Sequence, residues 1–141
     1  MQIGLIAVSA NAQIQKPVAW SYAAKKVSST EAIIFLKATI DNGWHIYSTG
    51  QKDGGPEKTE FKFAPSKEYA LIGKVTEPKA IKKYEEVFEM DVFYLERSVV
   101  FQQRIKLNKS VTVVKGKVSF MVCTDKECLP ASELEFNVPV K

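Results

Sequence analysis

Cysteine and histidine are nearly missing from this chain. Its 141 residues hold two cysteines, Cys123 and Cys128, and one histidine, His45. A structural zinc site takes four Cys or His ligands, and His45 lies far from the cysteines in sequence, so neither a metal nor a cofactor is expected. No stretch approaches the roughly 20 apolar residues that a membrane-spanning helix needs. The mature chain is therefore read as soluble, with no direct membrane insertion. Charge of one sign is also never concentrated. The formal net charge is +4, and Lys25-Lys26 and Lys82-Lys83 are the only basic doublets. A nucleic-acid surface wants a clustered basic patch with motif support, so no nucleic-acid partner is expected, and the charge serves solubility. Helical periodicity is weak throughout. Only Glu77 to Met90 has room for a helical turn, and Pro78 limits it. Internal repeats and low-complexity segments are missing too.

What is present is a series of short strands. Val18, Trp20 and Tyr22 alternate with Ala19 and Ser21, and Ala32 to Ile40 is a longer β-branched run. Trp44-His45-Ile46-Tyr47-Ser48 follows the turn Asp41-Asn42-Gly43. Phe61 and Phe63 alternate with lysine. Tyr69 to Val75, Val92 to Lys106, Val111 to Cys123 and Leu134 to Val140 complete the set. Short period-two segments separated by Gly, Pro, Asn and Asp predict an all-β antiparallel sandwich. About 130 residues suffice for one self-supporting core, and 45% hydrophobic content is ordinary for a globular domain.

The first twelve residues carry no charge. Ile3 to Val8 is apolar, and Ala10-Asn11-Ala12 has the A-x-A form of a signal-peptidase site. Residues 1–12 are read as the remnant of a secretory signal peptide without its basic start, against the alternative of an ordinary first strand. The mature chain is then 13–141. A leader and a cysteine pair agree with each other, because both belong to an oxidising compartment.

Four residues separate Cys123 from Cys128. On a continuous helix the two positions diverge by about 140°, and on one strand they point to opposite faces. A hairpin with a four-residue loop sets them opposite each other, at Cα separations of about 4.5 to 5.5 Å that overlap what a disulfide requires. Thr124-Asp125-Lys126-Glu127 suits the turn. Two uses of such a bond stand open. As a staple it is poor, because a six-residue loop gains only about 2 kcal/mol in the chain-entropy model. As a redox pair it is well placed, because exposed turn-tip disulfides exchange readily. Parity along the preceding strand puts Val118, Phe120 and Val122 on the core face and Lys117, Ser119, Met121 and Cys123 on the solvent face. Cys123 is thus expected to face solvent.

Two connectors stand out. Gln51 to Thr59 is a loop by composition. Lys82 to Met90 mixes acids with Tyr84 and Phe88, and reads either as a solvated charged connector or as a movable cover over the cysteines.

Taken together, Trp44-His45-Ile46-Tyr47-Ser48, Gly55-Pro56 with Thr59, Tyr84-Glu85-Glu86-Val87-Phe88, and Val118-Ser119-Phe120 leading into Cys123 and Cys128-Leu129-Pro130 resemble the N-terminal periplasmic domain family of the thiol:disulfide interchange protein DsbD. The resemblance runs from about Val18 to Val140. It implies a single immunoglobulin-like domain over 13–141 that bears the cysteines on a hairpin and performs thiol–disulfide exchange of the oxidoreductase type in the periplasm. By the same resemblance Cys128 is the attacking thiol, Cys123 the resolving thiol, and Glu86 an acid beside them. Tyr84 and Phe88 belong to a cap loop. The donor is a thioredoxin-like domain or a membrane electron transporter. The acceptors are oxidised periplasmic thiol proteins, such as disulfide isomerases and cytochrome c maturation thioredoxins. Val87 stands where a second acid is common, and the cysteine spacing is one residue shorter than in some members. The sequence holds no thioredoxin-like segment, so electrons are expected from a separate protein or from parts beyond Lys141. The competing reading is a non-catalytic immunoglobulin-like binding or assembly module with a structural disulfide. A redox potential well below about −300 mV distinguishes it.

Overall fold

The computed structural model describes residues 16–141, so the leader expected at 1–12 lies outside the described residues. All its regular elements are β-strands. One sheet orders β1 (Val18–Lys26), β2 (Glu31–Ile40), β8 (Ser98–Leu107) and β5 (Tyr69–Thr76) as β1-β2-β8-β5. A second orders β10 (Val122–Cys123), β3 (His45–Tyr47), β7 (Met90–Leu95) and β6 (Ile81–Glu85) as β10-β3-β7-β6. A third pairs β11 (Ser132–Val140), β9 (Thr112–Phe120) and β4 (Glu60–Phe63) as β11-β9-β4. All pairings are antiparallel.

The alternation read from the sequence is what builds the core. In β2, Ala32, Ile34, Leu36, Ala38 and Ile40 are buried, and in β8 Val99, Phe101, Ile105 and Leu107 are. They meet Val114, Val118, Phe136, Val138 and Val140 from the third sheet. Trp20 of β1 crosses between layers, with its ring 5.9 Å from Phe61, 6.0 Å from Phe101 and 5.5 Å from Phe120. Each large side chain so buried contributes about 1.5–3 kcal/mol. Gly116 is required by packing: a Cβ there would meet the Lys62 carbonyl oxygen at 2.5 Å and the Phe136 ring at 2.7 Å.

Of the segments that pass from sheet to sheet, three place the site. The turn Asp41-Asn42-Gly43, with Gly43 at φ 86°, takes the chain from β2 to β3. Val92 to Lys106, read as one strand, is broken at Arg97, whose φ of 67° is incompatible with extended backbone. The break sends β7 and β8 to different sheets. Val111 to Cys123 is likewise broken at Met121. Cys123, expected to face solvent, is instead buried, 1% exposed. The parity itself holds across the break: Val122 packs into the main core, and Met121 and Cys123 share the opposite face, which Tyr47, Val92, Phe88 and Met90 cover. The helical turn allowed for within Glu77 to Met90 is instead a hairpin. Ile81–Glu85 pairs with Met90–Asp91-Val92-Phe93-Tyr94 across a turn at Glu86–Glu89, and Glu89 takes φ 52° to close it.

Candidate redox site

Cys123 and Cys128 are joined in a disulfide with Cα atoms 4.0 Å apart, and they form an antiparallel bridge with each other. The hairpin is held by its own backbone. Leu129 N donates to Val122 O at 3.0 Å, and Thr124 N donates to Glu127 O at 2.7 Å. Thr124 Oγ1 accepts from Lys126 N at 3.2 Å and from Glu127 N at 3.1 Å, so the polar loop closes as a Thr-anchored turn. The two cysteines have opposite surroundings. Cys128 is exposed. Cys123 lies in a small apolar cluster with Tyr47 and Val92, against which Phe88, Met90, Tyr94 and Met121 pack.

The floor of the site comes from β3. Cys123 pairs directly with His45, and Tyr47 pairs with Tyr94. His45 and Tyr47 share a face by strand parity, and His45 Nε2 lies 3.0 Å from the Tyr47 hydroxyl. The His45 ring stands 4.8 Å from that of Tyr94. Burial holds the His45 pKa below its ordinary value, against the opposing pull of Asp125 and Glu85. Burial, aided by Glu85 and Asp125, pushes the Tyr47 phenol up to about 12. At neutral pH the pair is an imidazole beside a protonated phenol. Anchoring continues past Tyr47: Ser48 Oγ donates to Glu77 Oε2 at 2.5 Å, and Thr49 N and Oγ1 donate to Glu77 Oε1 at 2.9 and 2.8 Å.

The second hairpin, β6–β7, leans over the cysteines. A cleft of ≈ 130 Å³ lies between its tip and the cysteine turn, lined by Tyr47, Glu85, Val87, Phe88 and Cys128 among others. Phe88 is half-buried and packs on the Cys123 cluster. Tyr84, 58% exposed, sits on edge strand β6 opposite Asp91 and does not line the cleft. Of the two adjacent acids, Glu85 lines the cleft and Glu86 does not; Glu86 is exposed at the turn. Lys83 links the two hairpins, 3.4 Å from Asp125 Oδ1 and 3.6 Å from Glu85 Oε1. Sequence reading passed over His45, Tyr47, Glu85 and Asp125 as site residues. The period-two spacing of His45 and Tyr47 was the available signal, but only the β10–β3 register brings them to Cys123.

A β-sandwich that carries its one disulfide on a hairpin tip, with one cysteine sealed and the other in water beneath a second hairpin, is built as an immunoglobulin-like thiol–disulfide exchange domain. The family described as "Thiol:disulfide interchange protein DsbD, N-terminal" matches residues 11–139, and the chain belongs to it. Among solved structures, the fold is similar to the DsbD N-terminal domain of Neisseria meningitidis in the reduced form, at 19% identity and TM-score 0.59, covering 92% of each chain. It is also similar to the N-terminal periplasmic domain of ScsB from Proteus mirabilis, at 17% identity and TM-score 0.59, covering 85% of this chain and 44% of that one. A third similar structure is the complex between the DsbD and PilB N-terminal domains of Neisseria meningitidis, at 17% identity and TM-score 0.56, covering 85% and 80%. No curated protein sequence matches the chain.

Proposed function

We propose that this domain works in the periplasm, taking electrons from a thioredoxin-like domain or a membrane electron transporter and passing them to oxidised envelope proteins through Cys123 and Cys128. The observation that carries this reading is the unequal exposure of the pair: Cys128 is exposed and Cys123 is 1% exposed. Only an accessible thiolate reaches a partner's disulfide. Cys128 therefore attacks, forming a mixed disulfide and releasing one partner sulfur. Cys123 then attacks Cys128 Sγ, and the partner leaves reduced as the intramolecular bond closes. The reverse sequence recharges the domain.

Phe88 acts as the cap. Its ring packs on the Cys123 cluster and lines the cleft at Cys128, so it obstructs the in-line approach of a small thiol. Glu85 is the acid set against Cys128, and Glu86 adds negative charge at the rim. Negative charge near a thiol disfavours the thiolate and restrains stray exchange. The complex of related N-terminal domains from Neisseria meningitidis supports a protein domain, rather than a small molecule, as the docking partner.

Trapping tests the assignment. Cys123→Ser is expected to accumulate a mixed disulfide through Cys128 when mixed with envelope extract, and Cys128→Ser to trap nothing, as read by mass spectrometry. Trapping by Cys128→Ser alone reverses the two roles, and trapping by neither removes the exchange reading.

A further inference from the structure

The attack of Cys123 on Cys128 requires a thiolate in an apolar pocket, and burial holds a thiol in its protonated form. Something adjacent must take that proton. We infer that His45 is the proton acceptor for Cys123, acting through the hydroxyl of Tyr47. This inference rests on the exchange reading above.

Geometry carries it. His45 is the direct cross-strand partner of Cys123, a relation that sets Cβ atoms about 4.5–5.5 Å apart with both side chains on one face. Its Nε2 is 3.0 Å from the Tyr47 hydroxyl. Tyr47 packs with Cys123 and also lines the cleft that Cys128 borders. One phenol thus joins the histidine to the surroundings of both sulfurs. Among the described residues, the charged or titratable groups facing His45 are Tyr47 on its own strand, Tyr94 on β7, Glu85 and Lys83 on β6, Asp125 on the cysteine turn, and Glu96 beyond β7, besides Cys123 itself. As a class, an imidazole is a stronger base than a carboxylate and so the better acceptor for a thiol proton. A neutral imidazole is closer to the operating pH, where a general base is most effective. Burial keeps His45 in that neutral form.

The step balances. As Cys123 gives its proton to the Tyr47 oxygen, Tyr47 gives its own to His45 Nε2. The Cys123 thiolate attacks Cys128 Sγ and the Cys123–Cys128 bond forms. The bond from Cys128 to the partner's sulfur breaks, and the electron pair leaves on that sulfur. The imidazolium returns its proton to the departing thiolate. The cysteine pair is oxidised and the partner reduced. His45 is a positioning residue in this scheme, because Tyr47 stands between it and the reacting sulfur.

Oxidised glutathione is a sufficient probe. The fully reduced chain captures one glutathione at Cys128 and then expels it, and rapid acid quenching resolves the two events between about pH 5 and 8.5. Expulsion by the unaltered chain is expected to show a limb with its midpoint below the ordinary histidine value of 6.5. In His45→Gln and Tyr47→Phe, expulsion at pH 7 is expected to slow about tenfold or more, the lower end of general-base effects. Expulsion should fall further than capture does, and its rate should then climb with pH as a bare thiol does. Expulsion by His45→Gln at the original rate, with an unchanged pH profile, overturns the inference. Should His45→Gln lack a cooperative urea transition, Tyr47→Phe decides alone, since it keeps the ring, and an unchanged rate there refutes the relay. Failure of the unaltered chain to form a mixed disulfide with either glutathione or an oxidised thioredoxin-like domain refutes the exchange reading itself, a separate and recognisable result.

Discussion

The Lys83 ammonium lies 3.4 Å from Asp125 Oδ1, tying the β6–β7 hairpin to the turn that carries the cysteines. The same nitrogen is 3.6 Å from Glu85 Oε1. The Asp125 hydrogen bond, with the Glu85 charge behind it, raises the Lys83 pKa, so the link persists across the neutral range. Both partners are well exposed, so the contact adds little to global stability. Its expected effect is on access to the cleft.

Lys83→Ala is expected to leave the urea midpoint unchanged and to raise the rate of disulfide reduction by a neutral phosphine about twofold. A neutral reductant matters, because removing a cation also slows the approach of anionic thiolates. The difference between the two proteins should shrink as salt rises from about 20 mM to about 500 mM. Identical rates at low salt discount the tether.

Phe88→Ala separates a cap from a core residue. The ring is half-buried, so its loss should cost about 1–1.5 kcal/mol, roughly half the value of a fully buried side chain. Reduction by glutathione should accelerate several-fold. A loss of 3–5 kcal/mol, the range for core Phe→Ala changes, with no faster reduction would place Phe88 in the core and remove the cap.

Much of this fold was legible because one face of each long strand is buried. The alternation in β2 and β8 survives intact from sequence to structure, and the Thr124–Glu127 turn closes as its composition predicts. The failures share a cause. Parity put Cys123 on the face away from the main core, where it lies, but nothing in Val-Ser-Phe-Met-Val-Cys shows that β3 and the β6–β7 hairpin cover that face. The break at Met121 was missed because it arises where Val122 and Cys123 pair with β3, a partner far away in sequence. β6 was missed because Ile81-Lys82-Lys83-Tyr84-Glu85 lies on a sheet edge with little to bury, so it has no alternation to read. His45 and Glu85 became site residues only through tertiary register.

Reducing the disulfide should cost about 2 kcal/mol or less, because the bond closes a loop of only six residues. The hydrogen bonds Leu129 N to Val122 O and Thr124 N to Glu127 O do not depend on sulfur. Urea melts of oxidised and reduced protein are expected to show two cooperative transitions of similar slope. Unfolding on reduction at room temperature would instead favour a structural staple.

Stability should fall at both ends of the pH scale for assignable reasons. The folded-state pKa of His45 is depressed by burial. Its contribution is present above the unfolded value of 6.5 and is lost as pH falls through the lower folded value. Tyr47 is raised from 10.0 to about 12, so its contribution is present below pH 10 and is lost as pH rises toward about 12. Tyr47→Phe is expected to flatten part of the alkaline decline, leaving what Tyr22 and Tyr69, also raised by burial, supply. Urea midpoints across pH 5–12 read both arms. An acid arm that persists unchanged in His45→Gln assigns it to other groups.

The backbone bridge between Cys123 and Cys128 has one more consequence. The residues already face each other across the hairpin, so storing or yielding two electrons asks only for a turn of two side chains. The loaded and empty forms are then expected to present nearly the same outline, so that a partner would not sort them by shape. On the proposed exchange reading, which way the electrons run in any encounter is left to the difference in reduction potential between the two proteins, and the polarity of the contact is set by its neighbours.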